Sequence, residues 1–312
     1  MRCRPLSIVW LLLLACTHAP AAFAANVLTD HLGRRVSIAD HPKRIVSLAP
    51  SLTETLFALG AGDRVVGVTD YCDFPAEAAT RTKIGGIINP SLERLAALRP
   101  DLVLITKEGN RRETLTAVEH LNIPIFAVET ARLDDIARMF RDVARAIGDP
   151  AAGATLASAL EQRVARVQHA VAGRTVKRVL MLVWLQPMVT VGRGNFLDDL
   201  LDRAGAQSIA EAESQPWPKL SIEEVVRTDP EYIVVTRSPG FAPTREEFLR
   251  MPGWKELTAV KQDRIISLPD AAQRPGPRIG DMLETLARAL HPAAFTSAPP
   301  GAAASDESRG RP

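Results

Sequence analysis

One segment of this sequence occurs twice, and it constrains the fold more than any other feature. Residues 91–106 read SLERLAALRPDLVLIT, and residues 221–236 read SIEEVVRTDPEYIVVT. The copies align without a gap, with the same serine, glutamate, proline and threonine at matching places. Each copy predicts a short helix that a serine caps, a proline that ends it, and a buried strand. Two copies so far apart indicate two lobes of similar construction rather than a stacked solenoid.

Predicted strands and helices alternate along most of the chain. We predict strands at residues 44–49, 65–68, 123–128, 178–185 and 264–268, and helices at 112–120, 132–147, 196–204, 245–251 and 279–290. Alternating elements of this length are typical of βα units and mostly parallel sheets. One further helix follows the first strand, where Ser51 and Glu54 have the spacing of a capping box. The pattern predicts an α/β fold with two Rossmann-like lobes.

A single long helix separates the two predicted lobes. Residues 151–173 have no strand nearby, and their apolar residues recur at helical spacing. At about 1.5 Å per residue, such a helix spans roughly 30 Å, which is enough to bridge two lobes. The predicted organisation is a first lobe at 27–148, the bridging helix at 149–174, a second lobe at 175–292, and a disordered tail at 293–312 that is rich in Ala, Pro, Gly and Ser.

Residues 1–24 have the features of an export signal peptide. Arg2 and Arg4 precede a short apolar run, and small residues before the end of the segment predict cleavage after Ala24. The alternative is a lipoprotein signal, because Leu13-Leu14-Ala15-Cys16 places a cysteine where a lipid could be attached. Both signals direct export from the cytoplasm, so we predict that the protein acts outside it.

Composition and motifs argue against several classes of function. The net charge is +2 and the basic residues form no patch, so we do not predict nucleic-acid binding. No nucleophile motif or P-loop is visible, and Gly192-x-Gly194 lacks the third glycine of a dinucleotide site. The histidines do not pair at metal-ligand spacing, and Cys72 is the one cysteine outside the leader. We therefore predict no catalytic residues and no metal site, and a secreted α/β enzyme is the alternative class.

The repeat carries one glutamate in each copy. Glu93 and Glu223 both fall in the first turn of their predicted helices. One interpretation is that the helix dipole favours a carboxylate at this place. The other is that each lobe presents a glutamate at an equivalent exposed corner, where the pair would contact arginines of a two-fold symmetric partner. The residues alone leave both interpretations open.

Aromatic residues lie in loops next to predicted strands, where α/β folds place ligands. Tyr71 and Phe74 follow the strand at 65–68, and Trp217 precedes the second copy of the repeat. Each of them is either a ligand contact or a partly buried anchor of its loop. Trp184, by contrast, lies within an apolar strand and is predicted to belong to the core.

A later loop contains the charged candidates. Asp270 and Arg274 lie in a segment that also contains Pro275 and Pro277. They are either contacts to a ligand or, in the simpler interpretation, a turn-capping acid and a surface cation. This loop follows the predicted strand at 264–268, which is again the position at which parallel sheets hold ligands.

Five segments of the chain resemble the cobalamin-binding proteins of bacterial ABC importers. They are RIVSLAPSLTETLFALG, VGVTDYCDFP, NPSLERLAALRPDLVL, WPKLSIEEVVRTDPEYIVV and RPGPRIGDMLETLARALHP. These proteins are part of a wider class of periplasmic binding proteins with a rigid helical backbone, which also take haem and iron siderophores. The resemblance extends from about residue 44 to residue 292, nearly the whole mature chain.

The resemblance implies two α/β lobes joined by one long helix, with a ligand held in the cleft between them. It implies that Tyr71 and Trp217 contact a corrinoid and that the loop from Asp270 to Arg274 closes over it. We therefore expect a periplasmic carrier, not an enzyme, that captures cobalamin and delivers it to an inner-membrane importer. We expect it to act as a monomer without a cofactor.

The resemblance also implies that Glu93 and Glu223 dock on arginines of the ABC permease, which works with its ATPase. The sequence departs from the best-known cobalamin binder at Ile87 and Thr106, where that protein has tryptophan. These departures leave haem, a cobinamide-like corrinoid and a ferric siderophore as alternative ligands on the same carrier fold.

Overall fold

The computed structural model describes residues 25–238 and 240–296, which form two α/β lobes connected by one long helix. The strands are β1 (Ala25–Thr29), β2 (Arg35–Ala39), β3 (Ile45–Ser47), β4 (Val65–Val68), β5 (Thr82–Lys83), β6 (Leu102–Thr106), β7 (Ile125–Val128), β8 (Lys177–Leu185), β9 (Met188–Thr190), β10 (Ala206–Ser208), β11 (Tyr232–Thr236) and β12 (Ile265–Leu268). The α-helices are α1 (Pro50–Ala58), α2 (Ala76–Ala79), α3 (Leu92–Ala97), α4 (Arg112–His120), α5 (Leu133–Ala146), α6 (Pro150–Val171), α7 (Phe196–Arg203), α8 (Ile222–Thr228), α9 (Arg245–Arg250), α10 (Thr258–Lys261) and α11 (Ile279–Leu290).

The first lobe is built on a parallel sheet with the strand order β5-β4-β3-β6-β7. Strand β6 lies between β3 and β7, and all of its residues are buried. A strand that is covered on both faces consists of a continuous apolar run, which is why LVLIT does not alternate. The preceding helix α3 begins after Ser91, whose hydroxyl accepts a hydrogen bond from the Arg94 backbone N–H (3.3 Å). The first copy of the repeat therefore folds as predicted.

The second lobe is built on a sheet with the order β10-β8-β11-β12, in which these four strands are parallel and β9 pairs antiparallel with β8. Strand β11 of the second repeat copy lies between β8 and β12. Its helix α8 begins after Ser221, which forms a complete capping box with Glu224. Both copies thus supply an inner strand and the helix before it, and the predicted two-lobed α/β fold is confirmed.

Helix α6 is the predicted bridge between the lobes. Its 22 residues follow Asp149, whose carboxylate accepts a hydrogen bond from the Ala152 backbone N–H (3.1 Å), and Pro150 is the first helical residue. The helix packs closely on α5 at Gly153, because a Cβ atom there would lie 2.3 Å from the Cβ of Ala144. Glycine at this position allows the two helices to approach each other.

One hydrophobic core continues from the first lobe through the bridge into the second. It includes Leu104 of β6, Leu160 and Val164 of α6, Val234 of β11 and Leu283 of α11, all of them buried. Full burial of such a side chain stabilises a fold by about 1.5–3 kcal/mol. A shared core of this kind resists large movement of one lobe against the other.

Two local predictions are wrong, for reasons of tertiary structure. Helix α1 begins at Pro50 after Ala49, and Ser51 lies inside the helix rather than capping it. Glu54 therefore forms no capping box. Trp184 is 46% exposed rather than in the core. It lies at the end of β8, beyond the part of the strand that pairs with β11, and its indole N–H donates to Gln186 O (3.0 Å).

An N-terminal hairpin of β1 and β2 was not predicted. Asp30 holds its turn through hydrogen bonds from the backbone N–H groups of Leu32 and Arg34, and the His31 N–H donates to Ala127 O in β7 (3.0 Å). Because the turn lacks an Asn-Gly or Asp-Gly pair, the sequence contains no strong hairpin signal.

At the ends of the chain the predictions have different outcomes. The predicted signal peptide and most of the predicted tail lie outside the described residues. The first part of the tail is ordered, since Pro292–Ala294 form a 3₁₀ turn and the Arg288 guanidinium lies over the Phe295 ring (4.6 Å). Within residues 25–238 and 240–296, no helix has the length and apolar character that crossing a bilayer requires.

Candidate ligand-binding cleft

A cleft of about 580 Å³ opens between the lobes, where strands of both sheets end. One wall includes Ser51 after β3 and Glu108 after β6, and the other includes Ser238 after β11 and Asp270 after β12. The carboxyl ends of parallel strands are the usual ligand position in α/β folds. The volume falls in the range of about 300–1,000 Å³ that is typical of small-molecule sites. The cleft is therefore the candidate site.

All four predicted ligand contacts line this cleft. Tyr71 and Trp217 lie on opposite lobes, 61% and 43% exposed, and Asp270 and Arg274 lie together at one edge. Ile87 and Thr106, the two departures from the cobalamin-binder pattern, are also lining residues. The structure thus assembles the predicted set at one place, and their contact with a ligand stays a prediction.

Both terminal nitrogens of Arg274 donate to carboxylates. Its Nη1 atom donates to Glu54 Oε1 (3.1 Å) and Asp73 Oδ1 (2.6 Å), and its Nη2 atom donates to Asp73 Oδ2 (3.2 Å) and Asp270 Oδ2 (2.7 Å). Burial disfavours the charged guanidinium, but these hydrogen bonds and the nearby negative charges raise the pKa of Arg274 above its usual value. The hydrogen bonds from Arg274 in turn lower the pKa of Asp73, against a smaller effect of burial.

Glu54, which the sequence does not mark as a site residue, binds both arginines at the edge of the cleft. Its side chain is 2% exposed and accepts hydrogen bonds from Arg278 Nε (2.8 Å) and Nη2 (2.6 Å) in addition to Arg274. The Arg278 guanidinium also lies over the Phe74 ring (4.1 Å), so that aromatic anchors its own loop. No sequence signal marks Glu54, because its partners follow it by more than two hundred residues.

These residues join the lobes at the edge of the cleft. Glu54 and Asp73 belong to the first lobe, whereas Asp270, Arg274 and Arg278 belong to the second. We call these five residues the interlobe cluster. Buried charges are stable in proteins only when they are paired and hydrogen-bonded, and every charge in this cluster has such a partner.

A second polar contact joins the lobes at α5 and α7. The buried carboxylate of Asp199 in α7 accepts a hydrogen bond from the Leu133 backbone N–H (2.9 Å) and pairs with Arg132 (2.6 Å). Arg203 of α7 donates to Asp134 of α5 (2.9 Å). Together with the shared core, the two contacts hold the cleft walls at a defined separation.

Glu108 faces the cleft from the first lobe. Thr130 orients its carboxylate by donating from the backbone N–H (3.1 Å) and from Oγ1 (3.0 Å). The backbone of this loop is held by Asn110, whose Oδ1 accepts from the Thr106 N–H (2.9 Å) and whose Nδ2 donates to Ile87 O (2.9 Å). Glu108 was not predicted, because an acid in a polar loop has no distinctive pattern.

The two repeat glutamates occupy equivalent exposed positions. Glu93 and Glu223 are exposed in the first turns of α3 and α8, and neither forms an ion pair with another described residue. Because a helix in a parallel α/β unit runs opposite to the following strand, its first turn lies at the carboxyl edge of the sheet. Both carboxylates therefore lie on the side of the molecule at which the cleft opens. Their docking role stays a prediction.

The other reactive side chains have structural roles. Cys72 is buried, and its sulfur lies 3.1 Å from the hydroxyls of Thr53 and Thr69. His31 is held by the Glu129 backbone N–H (2.8 Å) and by Asp142 (2.9 Å). Among residues 25–238 and 240–296, no group of three His, Cys, Asp or Glu side chains is arranged to hold a metal ion.

Comparison with known proteins identifies the relatives of this chain. The model of the family described as periplasmic binding protein matches residues 45–272. A vitamin B12-binding protein of Pectobacterium carotovorum subsp. carotovorum (strain PC1) is 30% identical over 241 residues, 76% of this chain and 84% of that protein. An uncharacterised ABC transporter substrate-binding lipoprotein of Bacillus subtilis (strain 168) is 30% identical over 277 residues, 86% of each.

A solved structure agrees with this assignment. The periplasmic haem-binding protein of Roseiflexus sp. RS-1 in its apo form has a TM-score of 0.74 and 30% identity, over 81% of this chain and 99% of that one. These relatives are named as binding proteins, which supports a non-enzymatic role at the level of the family. The family match spans most of both lobes. This chain therefore belongs to the periplasmic binding protein family.

Proposed function

We propose that this protein captures a corrinoid, most specifically cobalamin, in the interlobe cleft and delivers it to an inner-membrane ABC importer. The observation that carries the proposal is the cleft itself, which places Tyr71 and Trp217 on facing lobes in a chain whose relatives include several named vitamin B12-binding proteins. The protein would act as a monomeric carrier without a cofactor of its own.

The physical basis of capture is apolar contact with a large, rigid ligand. An aromatic side chain can bury about 150–250 Å² of surface, and apolar burial contributes about 25 cal/mol per Å². Tyr71 and Trp217 are already exposed in the cleft, and neither the hydroxyl nor the indole N–H bonds to another described residue. They are therefore free to contact the ligand faces and its polar groups.

The fold makes the site preorganised. The bridging helix, the continuous core and the interlobe cluster all oppose wide opening of the lobes. A preorganised site avoids part of the entropy that is otherwise lost when a flexible site orders around its ligand. We expect modest closure on binding rather than a large hinge movement.

Calorimetric titration with cyanocobalamin tests the proposal. We expect heat of binding, and we expect the red colour to stay with the protein on a desalting column. Trp217→Ala should weaken binding by about 10-fold or more, since a buried interface tryptophan commonly contributes 2 kcal/mol or more. Trp184→Ala is the matched control, because Trp184 has similar exposure in the same lobe outside the cleft. Absence of heat and colour with wild-type protein would exclude this ligand.

Haem is the second candidate ligand, and the structural similarity to a haem-binding protein favours considering it. Haem iron in proteins takes an axial ligand such as His, Cys, Met or Tyr. Among the described residues that line the cleft, Tyr71 is the one side chain of these types. If haem is the cargo, Tyr71→Phe should shift the Soret band of the complex. A ferric siderophore is distinguished from haem and cobalamin by its own absorption bands when it is titrated in the same way.

Delivery would require docking on the ABC permease that works with its ATPase. Glu93 and Glu223 would each meet an arginine of the permease from one lobe. One exposed ion pair contributes only about 0.2–1 kcal/mol, so the double variant Glu93→Lys/Glu223→Lys is the informative change. We expect it to abolish uptake while ligand affinity stays the same.

The control for docking is a second pair of exposed glutamates in first helical turns. Glu113 in α4 and Glu246 in α9 have the same local setting without belonging to the repeat. Glu113→Lys/Glu246→Lys should transport like wild type. Normal uptake by the repeat double variant would rule out the docking role.

Export completes the proposal. We propose a periplasmic location, reached through the signal peptide at 1–24 with cleavage after Ala24. The alternative is a lipid anchor at Cys16, and the relative from Bacillus subtilis is named as a lipoprotein. The intact mass of protein from the native host distinguishes the two, because the retained leader residues and the lipid differ in mass.

A further inference from the structure

The charge of the cleft is negative where a ligand edge would lie. Three charged residues line it: Glu108, Asp270 and Arg274. Two of them are acidic, and they come from opposite lobes. Arg274 is the single cation among these three residues. An anionic ligand is therefore accepted only if Arg274 is free to bind it.

Arg274 has no positive charge to spare. Both of its terminal nitrogens donate to carboxylates, and its side chain is largely covered. The other cation of the interlobe cluster, Arg278, is bound by Glu54 and the Phe74 ring and does not line the cleft. Three carboxylates meet two guanidinium groups, so the interlobe cluster has an excess negative charge.

Glu108 adds a second carboxylate on the opposite wall, one that forms no ion pair with a described residue. Its hydrogen-bond partners are the neutral N–H and hydroxyl of Thr130. No cation of residues 25–238 and 240–296 lies within ion-pair distance of it, since neighbouring Lys107 pairs with Glu129 (2.8 Å). An ionised carboxylate is an acceptor only, so Glu108 is matched by a ligand that presents N–H donors.

We propose that the cleft selects corrinoids whose peripheral acid groups are amidated and rejects those with free carboxylates. Amide N–H groups satisfy the acceptor oxygens of Glu108 and Asp270, whereas ligand carboxylates face like charge on both walls and find no free guanidinium. Glu54 acts as a positioning residue, because it holds Arg274 and Arg278 in the interlobe cluster. The inference deepens the proposed function and rests on it.

Two probes with the same corrin ring test the inference. Dicyanocobinamide has amidated side chains, and dicyanocobyrinic acid has carboxylic acids in their place. At neutral pH and 50 mM salt we expect the acid to bind at least 10-fold more weakly to wild-type protein. The discrimination should shrink in 1 M salt, where the screening length falls to about 3 Å.

Variants locate the source of the discrimination. The readout is the ratio of the two dissociation constants. Glu108→Gln should narrow the ratio by roughly fivefold, as expected for one charge at about 4 Å in a solvated site. Glu54→Gln should narrow it further by releasing a guanidinium charge. Glu113→Gln, an exposed acid outside the cleft, should leave the ratio unchanged.

The outcomes separate this inference from the function beneath it. A higher affinity for the amidated probe that depends on Glu108 supports the inference. Equal affinities, or tighter binding of the acid, overturn it while corrinoid binding stands. If cyanocobalamin and both probes all fail to bind, the proposed function fails and the inference fails with it.

Discussion

The two copies of the repeat share a helix, a left-handed residue before the proline and a strand, but they make different side-chain contacts. Arg99 and Asp229, which precede the shared prolines, both adopt the left-handed conformation, with φ of 44° and 41°. Arg99 makes no side-chain hydrogen bond to another described residue, whereas Asp229 accepts two from Thr258 at the start of α10. The motif therefore sets the local path of the chain, and its variable side chains connect it to the rest of each lobe.

The helix starts differ in the same way. Ser91 receives one hydrogen bond from Arg94, whereas Ser221 and Glu224 bond to each other's backbone reciprocally. In both copies the glutamate two residues after the capping serine, Glu93 or Glu223, is nevertheless exposed. Neither has an ion-pair partner among the described residues. Glu93 and Glu223 are thus both exposed although the caps of their helices differ. A shared role in contacting a partner would require such exposure.

The largest expected effect comes from substitutions at the buried positions of the repeat. Leu95 and Val225 occupy matching positions and are fully buried. Leu95→Ala should lower the free energy of unfolding by about 3 kcal/mol, and Val225→Ala should lower it less because fewer carbons are removed. Urea denaturation measures both. Exposed Leu92 and Val226 are the controls, and alanine there should change stability by less than about 0.5 kcal/mol. Equal losses at buried and exposed positions would contradict the packing.

The next effect tests the turn before the prolines. Glycine tolerates positive φ, so Arg99→Gly should change the free energy of unfolding by no more than about 0.5 kcal/mol. Asp229→Gly should lower it by about 1–2 kcal/mol, because both hydrogen bonds to Thr258 are lost. Thermal or urea unfolding of the two variants side by side measures the difference. Equal effects would show that the Asp229 contacts contribute nothing.

A smaller effect tests the caps. Ser221→Ala should lower the free energy of unfolding by about 1 kcal/mol, and Ser91→Ala by a smaller amount. Each change deletes one hydrogen bond from a backbone N–H, of 3.2 Å at Ser221 and 3.3 Å at Ser91, but at Ser221 the loss also weakens the reciprocal bond from the Ser221 N–H to the Glu224 carboxylate. Amide hydrogen exchange in the first turns of α3 and α8 gives the local readout. A larger increase of exchange in α3 of Ser91→Ala than in α8 of Ser221→Ala would contradict this prediction.

The smallest effect depends on pH. The Ser221 backbone and side chain lower the pKa of Glu224 below its usual 4.5. A carboxyl with a lowered folded-state pKa stabilises the fold above its unfolded pKa and loses that contribution as the pH falls through the folded value. Acidification below about 4.5 should therefore lower the protection of the Ser221 N–H, measured as its exchange rate relative to the intrinsic rate at the same pH. The start of α3, whose matching residue is Arg94, should show no such change. Parallel responses of both helices would refute the assignment.

Much of the architecture was predictable from local patterns. The serine-capped helix, the proline stop and the apolar strand recur twice, and each fold element in them depends on residues within a few positions. The bridging helix was predictable because Leu160, Val164 and Val171 share one face. Resemblance to a family, rather than physics alone, selected Tyr71, Trp217, Asp270 and Arg274 as a set, and the structure brings them into one cleft.

The interlobe cluster was beyond reach of the sequence. Glu54 fitted a capping box as well as any glutamate does, and nothing near it indicates burial. Its partners Arg274 and Arg278 come from the other end of the chain, so their pairing depends on how the lobes meet. The same holds for Asp199, which meets the start of α5 across the molecule. Exposure of Trp184 was missed because neighbouring strands, not its own segment, cover or uncover it.

By itself the sequence determined which segments become helices and strands, that two lobes of like design exist, and that each carries a glutamate in a first helical turn. These properties follow from side-chain periodicity and capping over short distances. Only the tertiary structure decided the charge of the cleft, because a guanidinium such as Arg274 counts as a free cation or a neutralised one according to which distant carboxylates surround it. Coulomb interactions depend on separation in space, and separation along the chain does not report it.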